Sequence, residues 1–418
     1  MLKLKKTNLI LLLLLLLISY RWFLNKPSHY VSAELDDPPS SIQELYSVTK
    51  DTDPIYIIVF IGDGMGAEHR KAAQWVNVGF DGYLNMDSLP IHGWSQTASS
   101  NALITDSAAG ATAIATGIRT NNGMIAMSPE LVALKTVLEY AQERGLATGL
   151  VSTVQISHAT PAAFASHVSS RTMMNEIALQ LLENHVNVLL GGGEDEFLPY
   201  GSYGCFPEPG ERLDGRNLLD EAGAIGYTTI CTPEQLTALN TGETFNLIGL
   251  FGDEAMQRPY RPNLAEMTST AIDVLKNDPQ GFFLMVEGGQ IDWASHNNDS
   301  LNAIQDTIDF DEAVSVGIDF VNSQPHATLI VTADHETGGM SLHLSSTGDS
   351  SEEGPFFSKE GIPFFVNWGT TGHTAANVPI TALGEGGYLL DTTVPNTQIF
   401  WALTWQIFPK NYLPVLMK

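Results

Sequence analysis

The chain is 418 residues long, 44% hydrophobic and 16% charged, which is enough apolar material for a sizeable core and excludes a largely disordered polymer. Its 20 basic and 47 acidic side chains leave a formal net charge of −27, a field that would repel a polyanion and argues against nucleic acid as a partner. The same excess fits a soluble protein in a salty or marine exterior, where counterions screen self-repulsion, and equally a generic acidic secreted protein.

The N-terminus opens Met-Leu-Lys-Leu-Lys-Lys, continues as an unbroken apolar run over 9–18, and reaches Val31-Ser32-Ala33. A basic start, an apolar stretch and a small-residue cleavage site describe an export signal over 1–33, leaving 34–418 as one domain outside the cytoplasm, periplasmic or secreted. Arg21, Trp22 and Lys26 separate the apolar run from the cleavage site, so an uncleaved membrane anchor facing the protein outward is the alternative.

Beyond that segment, short apolar runs rich in β-branched residues predict buried strands over 55–61, 148–152, 186–190, 282–286 and 328–332. Helical periodicity falls between them, over 131–144, 172–184, 264–276 and 302–321. This alternation predicts a three-layer α/β domain, a mostly parallel central sheet with helices on both faces. The Gly-, Pro- and acid-rich stretch 191–252 and the polar stretch 341–361 read as surface elaborations of that domain. Cys205 and Cys231 are the only cysteines, and pairing or two free thiols both remain open from sequence.

The chemistry lies just past the ends of these strands. The first runs into Gly62-Asp63-Gly64-Met65-Gly66, whose spacing is wrong for a dinucleotide loop; flanking glycines instead let the backbone turn and present Asp63 to a cation. The strand at 148–152 leads shortly to His158 and Thr160. The strand at 282–286 ends at Glu287, after which Asp292 and His296 stand four apart, on one face of a helical turn, a spacing that suits one zinc and also occurs on solvated helix faces. Asp334 and His335 close the strand at 328–332, and His373 sits in a Gly/Thr-rich loop after a strand-like run over 364–368; by itself it reads as a surface histidine. In an open α/β sheet, the carboxyl ends of the strands line one crevice where such residues converge. Ser107 opens a helix of small residues. Either Asp106 or Ser107 is merely a helix cap, or Ser107 is a nucleophile at a helix N-terminus that favours anionic oxygen.

Taken together, these segments closely resemble the alkaline phosphatase family, with ordered motifs spread over about 55–379. The resemblance implies that 34–418 is the catalytic domain and that phosphate monoesters are hydrolysed through a phosphoserine on Ser107. It implies two zinc ions, one held by Asp292, His296 and His373 and the other by Asp63, Asp334 and His335, and one magnesium held by Asp63, Thr160 and Glu287. The block His158 to Arg171 matches the one carrying the third-site threonine and the arginine that forks onto phosphoryl oxygens. His158 stands where some bacterial members have aspartate and Trp293 where they have a basic residue, as in small cold-water and marine relatives; both positions, with Arg171, are expected at the substrate. A homodimer and activity rising toward alkaline pH are further implications. His69, His92, His167, His185, His326 and His343 match no motif and read as structural or exposed. A phosphodiesterase or phosphomutase of the same superfamily is the nearest rival. A non-catalytic phosphate- or metal-binding surface protein is the rival of another class, and it has no use for a positioned nucleophile.

Overall fold

The computed structural model describes residues 53–408, so the export signal expected over 1–33 lies outside the described residues. Fifteen strands appear in it: β1 Ile55–Gly62, β2 Ile91–Gln96, β3 Ala147–Gln155, β4 Val188–Gly192, β5 Thr228–Ile230, β6 Leu247–Leu250, β7 Gly281–Gly288, β8 Ala327–Thr332, β9 Glu336–Thr337, β10 Met340–His343, β11 Glu353–Phe357, β12 Pro363–Trp368, β13 His373–Thr374, β14 Val378–Gly384 and β15 Thr393–Pro395. The helices are α1 Ala67–Asn77, α2 Ser107–Thr116, α3 Val137–Glu143, α4 Ala159–Ala165, α5 Met174–Glu183, α6 Leu218–Ala224, α7 Pro233–Thr237, α8 Leu264–Leu275, α9 Gln290–His296, α10 Ser300–Asn322 and α11 Gln398–Leu403.

Ten strands form one sheet in the order β15-β2-β14-β8-β1-β7-β3-β4-β6-β5. The run from β8 to β5 is parallel throughout, and β14 pairs antiparallel to both β8 and β2. The central strand β1 shows why the sequence reads as a continuous apolar run. Its alternate side chains Tyr56, Ile58 and Phe60 enter one core, under α1, α8, α9 and α10, while Ile57, Val59 and Ile61 enter the other, under α2, α3, α4, α5 and α11. Each such fully buried side chain contributes about 1.5–3 kcal/mol of transfer free energy, and neither face tolerates a polar residue. The expected three-layer architecture is therefore the one observed.

Two local expectations change. Periodicity predicts a helix from residue 131, but Leu131 adopts φ of 64° and α3 starts only at Val137. Thr136 and Glu139 exchange hydrogen bonds in a reciprocal capping box there, which satisfies the free amides at that point. The 191–252 stretch is also more than surface elaboration, because its β6 and β5 extend the main sheet past β4. Within it Cys205 and Cys231 form a disulfide, settling the open alternative. The 341–361 stretch does lie outside the main sheet, as part of the three-stranded antiparallel sheet β10-β12-β11.

Strand register sets the site. Ile61 of β1 is level with Glu287 of β7 and with Thr332 of β8, and Ser152 of β3 is level with Glu287 on its other side. Four parallel strands thus end side by side, and the residues just beyond them meet.

Candidate active site

Gly62 ends β1 and the chain turns at once. Gly64 has φ of 72°, and a Cβ there would lie 2.8 Å from Thr337 Oγ1 and 2.9 Å from Asp292 Oδ1, so both conformation and space require glycine. The turn delivers Asp63, fully buried, into the crevice. Asp334 and His335 arrive from the end of β8, Glu287 from β7, and Asp292 and His296 from α9. His373 lies on β13, a two-residue strand paired with β9, and is half-buried, so the surface-loop reading of that histidine in isolation does not hold.

Three sets of acids and histidines bring their ligand atoms within 4.8 Å of one another: Asp63 with Asp334 and His335, Asp292 with His335 and His373, and Asp63 with His158 and Glu287. His296 joins the second set through Nε2, which lies 3.3 Å from Asp292 Oδ2 and 3.1 Å from His373 Nε2. Thr160 is fully buried near the third set. In that set the nitrogen is that of His158, which sequence places just past a strand end beside Thr160 and the resemblance places at the substrate.

The protonation pattern shows what these sets can hold. His296 Nδ1 donates to Thr371 O at 2.6 Å and His373 Nδ1 donates to Thr105 O at 2.8 Å, so it is Nε2 that each ring turns toward Asp292, the atom that carries a proton or binds a cation. Thr337 Oγ1 donates to Asp292 Oδ1 at 2.5 Å and so accepts from His335 Nδ1 at 3.2 Å, which leaves His335 Nε2 as a lone pair 3.3 Å from both Asp63 Oδ1 and Asp334 Oδ2. Acceptors face acceptors. Asp63 Oδ2, Asp334 Oδ2, Glu287 Oε1 and Thr160 Oγ1 are buried without a hydrogen-bond partner. Such a cluster is costly unless positive charge sits within it. Accordingly burial, then the charges of Asp334, Asp292 and Glu287, push Asp63 well above the usual carboxylate range. Burial, then Asp292 and Glu287, raise Asp334 to about 8. Burial raises Glu287 to about 7 despite a 2.5 Å hydrogen bond from Ser152 Oγ. The hydrogen bond to Asp292 lifts His296 to about 8, a proton standing where a cation would serve. The donor set, carboxylate oxygens with imidazole nitrogens, suits zinc-type ions, and the more oxygen-rich third set suits a harder cation.

Ser107 lies inside this ring. Its Oγ is 3.4 Å from Asp63 Oδ1 and 3.2 Å from His335 Nε2, and it is the first residue of α2, whose N-terminal amides favour negative charge. The cap is Asp106, which accepts from Ala109 N at 3.0 Å. Asp106 does more than cap, because its other oxygen accepts from Gly123 N at 3.0 Å and from Arg171 at 3.2 Å, holding the guanidinium beside the serine. Arg171 also donates to His158 Nε2 at 3.0 Å, and since arginine cannot accept, His158 is neutral there with its proton on Nδ1. Burial, then the Arg171 charge, depress His158 to about 3. Trp293 is half-buried with its ring edge-on to His158 at 6.0 Å. All twelve residues picked out from sequence thus come to one end of the sheet. Sequence reasoning passes over Ser152 and Thr337 and sees in Asp106 only a cap; their roles come from partners 135, 45 and 65 positions away. Of the histidines outside the motifs, His92 and His185 are exposed, while His167 is half-buried against Glu139 at 2.9 Å.

A serine at a helix N-terminus, ringed by cation-seeking carboxylates and imidazoles at the carboxyl edge of a doubly wound sheet, defines a metal-binding hydrolase. Comparison with known proteins specifies which kind. The alkaline phosphatase family model matches residues 56–366. Alkaline phosphatase 3 of Bacillus subtilis is 38% identical over 326 residues, which is 73% of this chain and 66% of that protein, so the chain spans about two thirds of that relative's length. Among solved structures, alkaline phosphatase from the Antarctic bacterium TAB5 superposes with a TM-score of 0.73 at 30% identity, covering 85% of this chain and 100% of that one. A mutant of the TAB5 enzyme with Mg bound matches with a TM-score of 0.72 at 29% identity, covering 85% and 98%. The chain belongs to the alkaline phosphatase family.

Proposed function

We propose that the protein hydrolyses phosphate monoesters by double displacement at Ser107, and the placement of Ser107 Oγ within 3.4 Å of Asp63 and His335, among buried carboxylate oxygens that lack partners, carries this reading. Asp63, Asp334 and His335 would hold one zinc, Asp292, His296 and His373 a second, and Asp63, Thr160 and Glu287 a magnesium, with His158 beside the third set as the partner of Arg171. Bound there, the cations supply the positive charge that makes the Ser107 hydroxyl and an incoming water acidic and that offsets charge on the departing oxygen.

Arg171, tethered by Asp106 and His158, presents its fork to two phosphoryl oxygens and aligns the phosphorus with Ser107. Ser107 Oγ gives up its proton to solvent and bonds to phosphorus as the ester oxygen leaves with its electron pair and takes a proton from solvent. Water then attacks phosphorus from the opposite side, the Ser107 Oγ–P bond breaks, and inorganic phosphate leaves as the serine regains a proton. The α2 N-terminus favours the anionic Oγ in both steps. The reading extends to a broad set of monoesters rather than to one alcohol.

The test compares p-nitrophenyl phosphate with bis(p-nitrophenyl) phosphate, with and without chelator. Turnover of the monoester that a chelator abolishes and zinc with magnesium restores is the expected outcome; faster turnover of the diester, or none in the metal-replete protein, would reject the assignment. Export to the periplasm or medium, or anchorage through the N-terminus facing outward, belongs to the same reading and is supported by the apolar run at 9–18 and by the Cys205–Cys231 disulfide, which suits an oxidising compartment. A homodimer is the assembly the family resemblance supports, and sedimentation measures it directly.

A further inference from the structure

His69 belongs to none of the three ligand sets, yet it lies between two segments that feed all of them, the loop that carries Asp63 and the helix α9 that carries Asp292 and His296. It is 1% exposed, in the first turn of α1, just after the loop that carries Asp63. Its Nδ1 accepts from Gly66 N at 3.2 Å, within that loop. Accepting there places the ring proton on Nε2, which donates to Ser295 Oγ at 2.9 Å. Ser295 passes the bond on to Ile291 O at 2.7 Å, inside α9. The chain of hydrogen bonds therefore runs from the Asp63 loop, through one imidazole, into the helix that bears Asp292 and His296. The ring is further fixed by Trp368, edge-on at 5.9 Å, whose indole nitrogen donates to Ser300 Oγ at 3.0 Å at the start of α10. Burial holds His69 at about 4, so the neutral ring with this single tautomer persists across the neutral and alkaline range.

On the other side, one further link ties the same two segments. Thr337 takes the Gly64 carbonyl with its amide at 3.0 Å and Asp292 with its hydroxyl. The Asp63 loop and α9 are thus braced twice, by Thr337 beside the ligands and by His69 behind them. Ser295 immediately precedes His296, so a shift of Ser295 is a shift of a ligand.

We propose that His69 is a positioning residue for the cation sites, a strut whose two ring nitrogens hold α9 at a fixed distance from the Asp63 loop, and through it set the placement of Asp292 and His296 against Asp63. The proposal rests on the reading of the site as a zinc and magnesium centre. A histidine that only filled space would need neither bond, whereas this one uses both nitrogens, and each joins a different segment.

Two substitutions separate the bonds. His69→Asn carries an acceptor at the Nδ1 position, keeping the local bond to Gly66 N and cutting the bridge to Ser295. His69→Gln carries a donor at the Nε2 position, keeping the bridge and losing the local bond. Zinc retention is read by competition with a chromophoric chelator, and amide hydrogen exchange over 290–296 is read in the metal-free protein. The expected result is that His69→Asn loses zinc affinity by about tenfold or more. It also exchanges faster over α9 and lowers kcat for p-nitrophenyl phosphate with KM little changed, because Arg171 is held independently. His69→Gln keeps wild-type zinc affinity and α9 protection even if its Tm falls. Equal losses in both variants, tracking Tm, would reduce His69 to packing and overturn the proposal, as would wild-type retention and protection in His69→Asn. Failure of the underlying reading looks different: the wild type itself would retain no zinc and turn over no monoester, while the exchange measurement would still report whether the strut exists.

Discussion

Two acidic clusters stand at the carboxyl edge of the same sheet, and only one has the makings of a metal centre. Around Ser107, carboxylates from β1, β7 and β8 meet imidazoles whose outer nitrogens are already committed to Thr371, Thr105 and Thr337, so their remaining nitrogens point inward. Beyond β4 and β6, Glu194, Asp195 and Glu196 gather near Glu254 with no imidazole among the groups that perturb them. There the protein satisfies charge from its own backbone: Glu194 accepts from Cys205 N at 2.9 Å and Phe206 N at 3.2 Å. Asp195 and Glu196 interact directly, and burial pushes Asp195 to about 6 and Glu196 well above its ordinary range. Two adjacent buried carboxyls relieve repulsion by keeping a proton. Acids alone do not define a cation site; acids facing oriented imidazole nitrogen do.

The largest effect should come from removing the reacting atom. Ser107→Ala is expected to cut p-nitrophenyl phosphate turnover by on the order of 10⁴-fold or more while zinc content stays at the wild-type level by metal analysis; retained turnover would mean that the ring serves some other centre. Next, Arg171→Ala should raise KM and lower kcat/KM by about 10–100-fold, the value of a charge-assisted fork on an anion, and Arg171→Lys should recover only part of it. Thr337→Val deletes the hydroxyl that links Asp292 to His335, and about a tenfold loss of zinc affinity by chelator competition is expected, with little change in the far-ultraviolet circular dichroism. The smallest effect belongs to the other cluster. With Asp195 raised in the folded state, its protonated form contributes stability that is fully present below its unfolded value near 4 and is lost as pH rises through about 6. Asp195→Asn should therefore leave Tm unchanged at pH 4, raise it by about 1–3 °C at pH 8, and leave the chelator sensitivity of catalysis untouched. A chelator effect on this variant different from that on wild type would break the contrast between the two clusters.

The parallel strands and the residues at their ends are legible from sequence because a strand buried on both faces must be apolar throughout, so the first acid after Ile61, Val286 or Val331 stands out. Other features leave weaker traces. Strand β2 alternates buried and exposed side chains, and β14, which it pairs with, returns antiparallel beside β8, so neither gives the continuous apolar run that marks a central strand. Strand β5 is three residues long with only Ile230 buried, too short for any periodicity. The start of α3 is misread from periodicity because the apolar spacing continues upstream of the capping box that stops the helix. At the site, single motifs display the ligands, but Ser152, Thr337 and the second role of Asp106 depend on strand register and on loops meeting across the crevice. Those pairings exist only in three dimensions, as does the bond between His69 and Ser295.

The level ends of β1, β3, β7 and β8 also fix an order of events. Asp63, Glu287, Asp334 and His373 are scattered over some three hundred residues of chain, and no two neighbouring segments bring together a complete set. Cation capture must therefore come late, after the middle of the sheet has zipped, and cannot nucleate assembly in the manner of a zinc finger, whose ligands are close in sequence. On the proposed reading of the site, the rate at which zinc becomes resistant to a chelator during refolding is a clock for the closing of the sheet.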